Sequence, residues 1–390
     1  MSDQELIYTM AITRLMPLNT ANQRTLINEV GSATAVYENR HELGKMMTHF
    51  SPRAAETIAS MEGELKRCEQ ELAYAREHKI KVLAVHDEDN YPTRLRQCED
   101  APLILYHLGN GNLNASHIIS VVGTRHCTER GRDLCNRLAA DLARLLPDVM
   151  IISGLAYGID IAAHRASLNN GLSTAAVLAH GLDDIYPRLH RQTAIEMLER
   201  GGLITEYMSH TQIEKVNFVQ RNRIVAGLAD ATIVIESPER GGSLITTEIA
   251  SGYHREVFAF PGRPSDTASA GCNHLIRNNV AHLIMTAEDL LFDLGWEPTI
   301  QNDGQKAMTF EKGGEEKAGV IPPKTANGSA FSPEEQSIIT ALCSAEGDLT
   351  FSDLIIKTSL PAAKLTSLLM SLEIKNAIKK LAGNRYHVIR

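Results

Sequence analysis

The chain has 390 residues, 43% hydrophobic and 22% charged, a folded rather than a disordered composition and more than one hydrophobic core usually organises, so two or three domains are expected. A formal net charge of -8 excludes a protein that grips polyanions through bulk positive charge and leaves room only for a local basic site. No run of about 18 apolar residues is present and Met1 to Met10 has no basic-then-apolar pattern, so neither a membrane span nor a secretory leader is readable and a cytoplasmic protein is expected.

Taken in chain order, residues 1–80 carry apolar residues at helical spacing (Leu6, Met10, Leu15; Leu26, Ile27, Val30; Ile58, Met61, Leu65), which predicts a small helical bundle. From Lys81 to Gly109, two short apolar runs around Pro92 and Pro102 read as edge strands belonging to the central domain. The central stretch alternates apolar runs with helical ones. Strands are predicted at Ile118–Gly123, Val149–Ser153, Thr174–Ala179, Leu203–Glu206, Thr232–Glu236, Val257–Phe260 and His282–Met285, with helices between them, one of which starts near Arg221. Apolar strands spaced by amphipathic helices imply an α/β fold, a doubly wound, mostly parallel sheet, over residues 81–297. Residues 298–330 have few large apolar side chains and many Gly, Lys, Glu and Pro, the composition of a flexible linker. Residues 331–390 read as three short helices and a hairpin turning at Gly383–Asn384, with seven basic residues from Lys357 onward against the single acid Glu373.

The six cysteines (Cys68, Cys98, Cys127, Cys135, Cys272, Cys343) are scattered with no Cys-x-x-Cys pair, so neither a zinc site nor a disulfide framework is expected. The basic residues are more informative: between Ile118 and Glu297 the only lysine is Lys215, against 15 arginines. Arginine's planar fork binds phosphate with two parallel hydrogen bonds, although codon bias is an equally ordinary source of such a count.

Glycines and small polar residues fall at the carboxyl ends of the predicted strands: Gly123-Thr124-Arg125, the Ser153 to Gly158 turn, Gly181-Leu182-Asp183, Gly241-Gly242-Ser243 and Pro261-Gly262. In an open parallel sheet that edge receives ligands, because helix N-termini point free N–H groups there and glycine lets the backbone come close. Ser153-Gly154-Leu155-Ala156-Tyr157-Gly158 lacks the Gly-x-Gly-x-x-Gly spacing of a dinucleotide site, and no P-loop is present, so neither a nicotinamide cofactor nor ATP turnover is expected. Ser153 and Ser243 lack a nucleophile elbow and are assigned to phosphate hydrogen bonding. Asp160 and His164, four apart on one helix, form either an acid–base pair or a hydrogen bond on the helix surface. Arg221-Asn222-Arg223 at a helix start would oppose the dipole, which suggests that a bound anion compensates them.

The strings GTRHCT, SGLAYGIDIAAHRASL, GLDDIYPRLHR, RNRIVAGLADATIVIE, GGSLITTEIASGYHREVFAFPG and GCNHLI occur in an order and spacing that resembles the DNA-processing protein A (DprA/Smf) family, over roughly Val82 to Asp293. The resemblance implies a Rossmann-like domain that binds single-stranded DNA without catalysis or cofactor, dimerises, and helps load a RecA-type recombinase on incoming strands during natural transformation. It also implies a SAM-like helical N-terminal domain and a winged-helix-like C-terminal domain. By the same resemblance Arg125 and Thr128 match the Gly-x-Arg-x-x-Ser/Thr motif, and Arg188 stands where the family places a basic residue facing phosphate. Arg221, Asn222 and Arg223 match the Arg-Asn-Arg element, and Gly242, Ser243 and Thr246 the Gly-Ser-Leu-x-Thr loop. The DNA-contacting set is completed by Ser153, Gly154 and Gly158. Departures from the pattern stand at Ala179, at Arg240-Gly241 and at Asn279-Val280. The alternative function is an enzyme: Gly241 to Glu248 is also similar to the loop of nucleotide-monophosphate phosphoribohydrolases of the "lonely guy" type, with Glu248 as the nearby acid.

Overall fold

A computed structural model of the chain describes residues 1–15, 18–43, 51–299, 332–343, 349–358, 360, 362–375, 377–381 and 385–388. The chain divides into two compact units, Met1–Asp303 and Gly304–Arg390.

In the first unit, helices Asp3–Thr13, Thr20–Val30, Ala33–Glu38 and Pro52–Ala59 begin at Ser2, Asn19, Ser32 and Ser51, whose side chains accept the free N–H three residues on. The helix Glu62–Glu77 follows. Their apolar faces (Met10, Ile12, Leu26, Ile27, Ile58, Met61) bury into the same core as one face of the sheet, so these helices and the strands share one interior.

Among the described residues the sheet has nine strands: β1 (Lys81–Ala84), β2 (Ile104–Leu108), β3 (Ile118–Val122), β4 (Met150–Ser153), β5 (Ser173–Val177), β6 (Gly202–Thr205), β7 (Ala231–Val234), β8 (Glu256–Ala259) and β9 (His282–Leu283). Their order is β1-β2-β6-β5-β4-β3-β7-β8-β9. From β6 to β9 all neighbours are parallel, while β1 and β2 extend one edge antiparallel. Alternating strand residues serve opposite faces: Val122, Ile152 and Val234 pack with helices Lys215–Leu228, Gly242–Gly252 and Ala270–Arg277, whereas Val121, Ile151 and Ile233 pack with Glu129–Leu145, Ile159–Asn169 and Ala287–Leu294. The doubly wound, mostly parallel α/β fold expected from the alternation is what the chain forms. The path runs outward from β3 to β6 and then returns to add β7, β8 and β9 on the other side of β3, so the switch point lies between β3 and β7, where an open sheet leaves a crevice at the strand carboxyl ends.

One element starts earlier than expected. The helix predicted from Arg221 begins at Lys215, because nothing in Val216 to Gln220 interrupts it. Arg221, Asn222 and Arg223 therefore sit in its interior, away from the positive end of the dipole, and no anion is needed there to offset two arginines at a helix start. Asn279 sits at φ 56, the left-handed geometry asparagine accepts.

The second unit contains helices Pro333–Cys343, Phe351–Thr358 and Ala362–Ile374 and a small antiparallel sheet ordered β10-β12-β11, from β10 (Leu349–Thr350), β11 (Ile378–Leu381) and β12 (Arg385–Val388). Its own core joins Ile338, Leu354, Leu365, Leu369, Leu372 and Ile378. Lys364 pairs with Glu334 and Lys375 with Glu335, so two of its basic residues face acids of the helix Pro333–Cys343. Most of the expected linker and the Gly383–Asn384 turn lie outside the described residues. No described helix is long and apolar enough to cross a membrane.

Candidate functional site

A cleft of about 360 Å³ opens at the switch point, between the turns that follow β3, β4 and β7 and the helices Lys215–Leu228 and Gly242–Gly252. Two of its walls are tied together by Glu236, which follows β7 and is buried. Its carboxylate accepts the Thr128 N–H at 2.9 Å and the Thr128 hydroxyl at 2.5 Å, and its carbonyl accepts the Thr124 N–H at 2.7 Å. Thr128 in turn caps the helix Glu129–Leu145, accepting the Gly131 N–H at 3.1 Å. Gly158, at φ 80, packs directly against the Thr124–Arg125 backbone, a place with no room for a side chain. The turn carrying Arg125 is thus fixed from both sides.

From that turn the exposed Arg125 side chain reaches over the ring of Phe218, its guanidinium carbon 5.4 Å from the ring centre. Phe218 also meets Tyr186 edge to face, with centroids 5.9 Å apart. One turn along the same helix, Arg221 is nearly fully buried; its Nη1 donates to the Val177 carbonyl, and its Nε has no hydrogen-bond partner among the described residues. Asp160, also buried, accepts the Gly154 N–H at 3.2 Å and the Ala156 N–H at 3.4 Å. Burial pushes the Asp160 pKa up against the pull of Arg221, and burial pushes the Arg221 pKa down against the pull of Asp160. Each charge offsets part of the burial penalty on the other, and Arg221 keeps a donor for which the described residues supply no acceptor.

The opposite wall is the N-terminus of Gly242–Gly252, which no side chain of the described residues caps, so Gly242 and Ser243 line the cleft at an uncapped helix start beside Arg240, Asn222 and Thr246. The Ser243 hydroxyl donates to Ser237 Oγ at 2.8 Å. Three arginines (Arg125, Arg221, Arg240) against one carboxylate, an aromatic face and a free helix start make a pocket suited to an anion joined to a flat ring.

Of the residues singled out from sequence, the cleft gathers Arg125, Gly154, Arg221, Asn222, Gly242, Ser243 and Thr246. The others stand elsewhere. Thr128 is occupied by Glu236 and the helix cap, and Ser153 is buried with its hydroxyl donating to the Val121 carbonyl at 2.6 Å. Gly158 supports the Arg125 turn from behind. Arg223 points to the other side of its helix, donating to the Asp100 carbonyl at 2.8 Å and pairing with Glu206. Arg188 is 87% exposed, with Asp184 3.8 Å away, and does not line the cleft. Asp160 and His164 form neither of the pairs considered: Asp160 is taken up by the Gly154 and Ala156 N–H groups, and His164 is buried 2.7 Å from the Thr174 hydroxyl. Glu248 is exposed and outside the cleft lining. Phe218 and Glu236 were not singled out from the sequence. Phe218 lies three residues before Arg221 and four before Asn222, and once the helix begins at Lys215 that spacing places all three on one face.

Among the described residues no cluster of His, Cys, Asp and Glu could hold a metal ion. The buried thiols of Cys68 and Cys98 are pushed up to about 12 and about 11 by burial, which leaves them unreactive.

Residues 82–295 match the family described as DNA recombination-mediator protein A. The DNA processing protein DprA of Streptococcus pneumoniae is 40% identical over 204 residues, 52% of this chain and 71% of that protein. Protein Smf of Synechocystis is 32% identical over 318 residues, 77% of this chain and 78% of that protein. Among solved structures, S. pneumoniae DprA superposes with a TM-score of 0.55 at 32% identity, covering 71% of this chain and 99% of that one. DNA processing protein A of Helicobacter pylori, whose structure describes a single-stranded DNA binding mode, gives 0.50 at 27% identity, covering 55% of this chain and 95% of that one. With more than half of its length matching, and the match centred on the sheet and cleft just described, the chain belongs to the DNA recombination-mediator protein A (DprA/Smf) family.

Proposed function

We propose that the cleft holds single-stranded DNA without chemistry, and that the protein, as a homodimer, retains incoming strands in natural transformation and passes them to a RecA-type recombinase. The observation that carries this reading is the Arg125–Phe218 pair at the mouth of a cleft floored by Arg221: guanidinium groups for phosphates beside a ring on which a base can stack. The uncapped helix start at Gly242 adds N–H donors for a phosphate oxygen. Guanidinium groups, a ring face and backbone N–H groups serve any nucleotide alike, so binding is tolerant of sequence. The single-stranded DNA binding of the H. pylori relative supports the same choice of ligand.

The phosphoribohydrolase alternative draws no support from the geometry, since Glu248 stands outside the cleft and Asp160, the acid inside it, is already engaged by two N–H groups. Incubation with adenosine monophosphate should release no adenine. We assign the 331–390 unit to a winged-helix-like module on its three helices and β10-β12-β11 sheet. The domain division proposed is 1–80, 81–297, the 298–330 linker and 331–390. Titration of a labelled single strand, competed in parallel with unlabelled single and double strands, tests the function: only the single strand should displace the probe efficiently.

A further inference from the structure

Arg125 and His126 line a second cavity as well as the cleft. This groove, about 430 Å³, runs behind the turn between helices Glu129–Leu145 and Ile159–Asn169 and is lined also by Arg132, Tyr157, Arg165 and Asn169. None of its lining residues is acidic. Among the described residues Arg165 uses only its Nε, toward the Thr193 hydroxyl at 3.3 Å, and Arg132 only its Nη1, toward Cys127. Neither arginine forms an ion pair among the described residues, so each keeps open N–H groups on the groove side. Tyr157 is 47% exposed and is braced edge-on by His190, 5.1 Å between ring centres, while the His190 ring is fixed 2.7 Å from the Leu155 carbonyl. A held, half-exposed aromatic ring, beside three guanidinium groups and no carboxylate in the lining, repeats the chemistry of the Arg125–Phe218 pair on the other side of the same turn.

We propose that the groove is a second nucleotide subsite, in which a single strand leaving the cleft bends over Arg125, stacks a base on Tyr157 and lays its next phosphates on Arg132 and Arg165. This inference rests on the single-strand reading of the cleft. It makes the Arg125–His126 turn the hinge shared by two subsites and lengthens the site in a direction that none of the remaining cleft residues occupies.

The test compares the full chain and its Arg132→Gln/Arg165→Gln variant on oligothymidylates of ~4 and ~16 nucleotides, by fluorescence anisotropy across a salt series. The variant should lose affinity for the longer strand by about tenfold and its salt slope should shrink by about 1.4, the share of two phosphates on single strands, while the shorter strand binds as before. Equal affinity of variant and parent for the longer strand overturns the groove and leaves the cleft standing. A parent chain that binds neither strand overturns both. Should the double variant not fold, Tyr157→Ala replaces it; a loss confined to the longer strand supports the subsite, and a loss equal on both lengths, or none, overturns it.

Discussion

The Arg221 guanidinium lies against the backbone of Gly154, in space that a β-carbon at position 154 would fill. The floor of the cleft therefore depends on a missing side chain in the turn after β4, opposite the helix that carries the arginine. Gly154→Ala should displace Arg221 from the Val177 carbonyl and cost about 1–3 kcal/mol, the usual penalty for overpacking. Thermal unfolding reads the stability loss and an oligonucleotide titration the accompanying loss of binding; a variant of unchanged stability would show that Arg221 is not held there.

Thr128 belongs to the scaffold. Its hydroxyl caps Glu129–Leu145 and binds Glu236, so Thr128→Ala should destabilise by about 1 kcal/mol, within the range for lost caps. Affinity of the folded variant for a single strand should stay near that of the parent. Unaltered stability with a large loss of affinity would return Thr128 to the ligand.

Arg223 is predicted to matter for folding in the same way. Its partner Glu206 is only 16% exposed, and removing one member of a largely buried pair leaves a poorly compensated charge, a cost of up to about 3 kcal/mol. Arg223→Ala should thus lower the denaturation midpoint far more than Arg188→Ala, whose side chain stands in solvent. Removing both charges, as Arg223→Met/Glu206→Leu, should recover part of the loss.

Two buried histidines set an acid limit. Burial lowers His164 to about 3 and His107 to about 4, below the ordinary value near 6.5 that both regain on unfolding. Between those values the unfolded chain binds the extra protons, so stability is complete above about pH 6.5 and falls as the pH drops toward 4, by up to about 1.4 kcal/mol per pH unit for each group. Urea midpoints measured from pH 7.5 to 4.5 should decline, and His164→Gln should flatten the decline. A profile indifferent to that substitution would contradict the assignment.

The sheet was legible because strands buried on both faces read as unbroken apolar runs, and the position of the cleft because glycine turns punctuate their carboxyl ends. Individual roles were harder to read. Nothing near Lys215 signals where its helix begins, and placing that start too late hid Phe218 and gave Arg221 the wrong neighbours. Ser153 and Thr128 look like ligand groups in sequence because the same hydroxyls that suit a phosphate also suit a backbone carbonyl or a helix cap. Arg223 owes its place to Asp100 and Glu206, whose approach only the folded sheet brings about.

If one arginine over one aromatic ring anchors a single strand, the direct measurement is the affinity of a labelled oligothymidylate for the parent chain, for Arg125→Ala and for Phe218→Ala, each with its thermal midpoint. The Arg125→Ala midpoint should be unchanged, since Arg125 is exposed, and binding free energy should fall by about 1–3 kcal/mol for the ring and at least as much for the arginine, whose effect fades as salt rises. Affinities equal to the parent's in both variants, with the fold intact, would contradict the anchor.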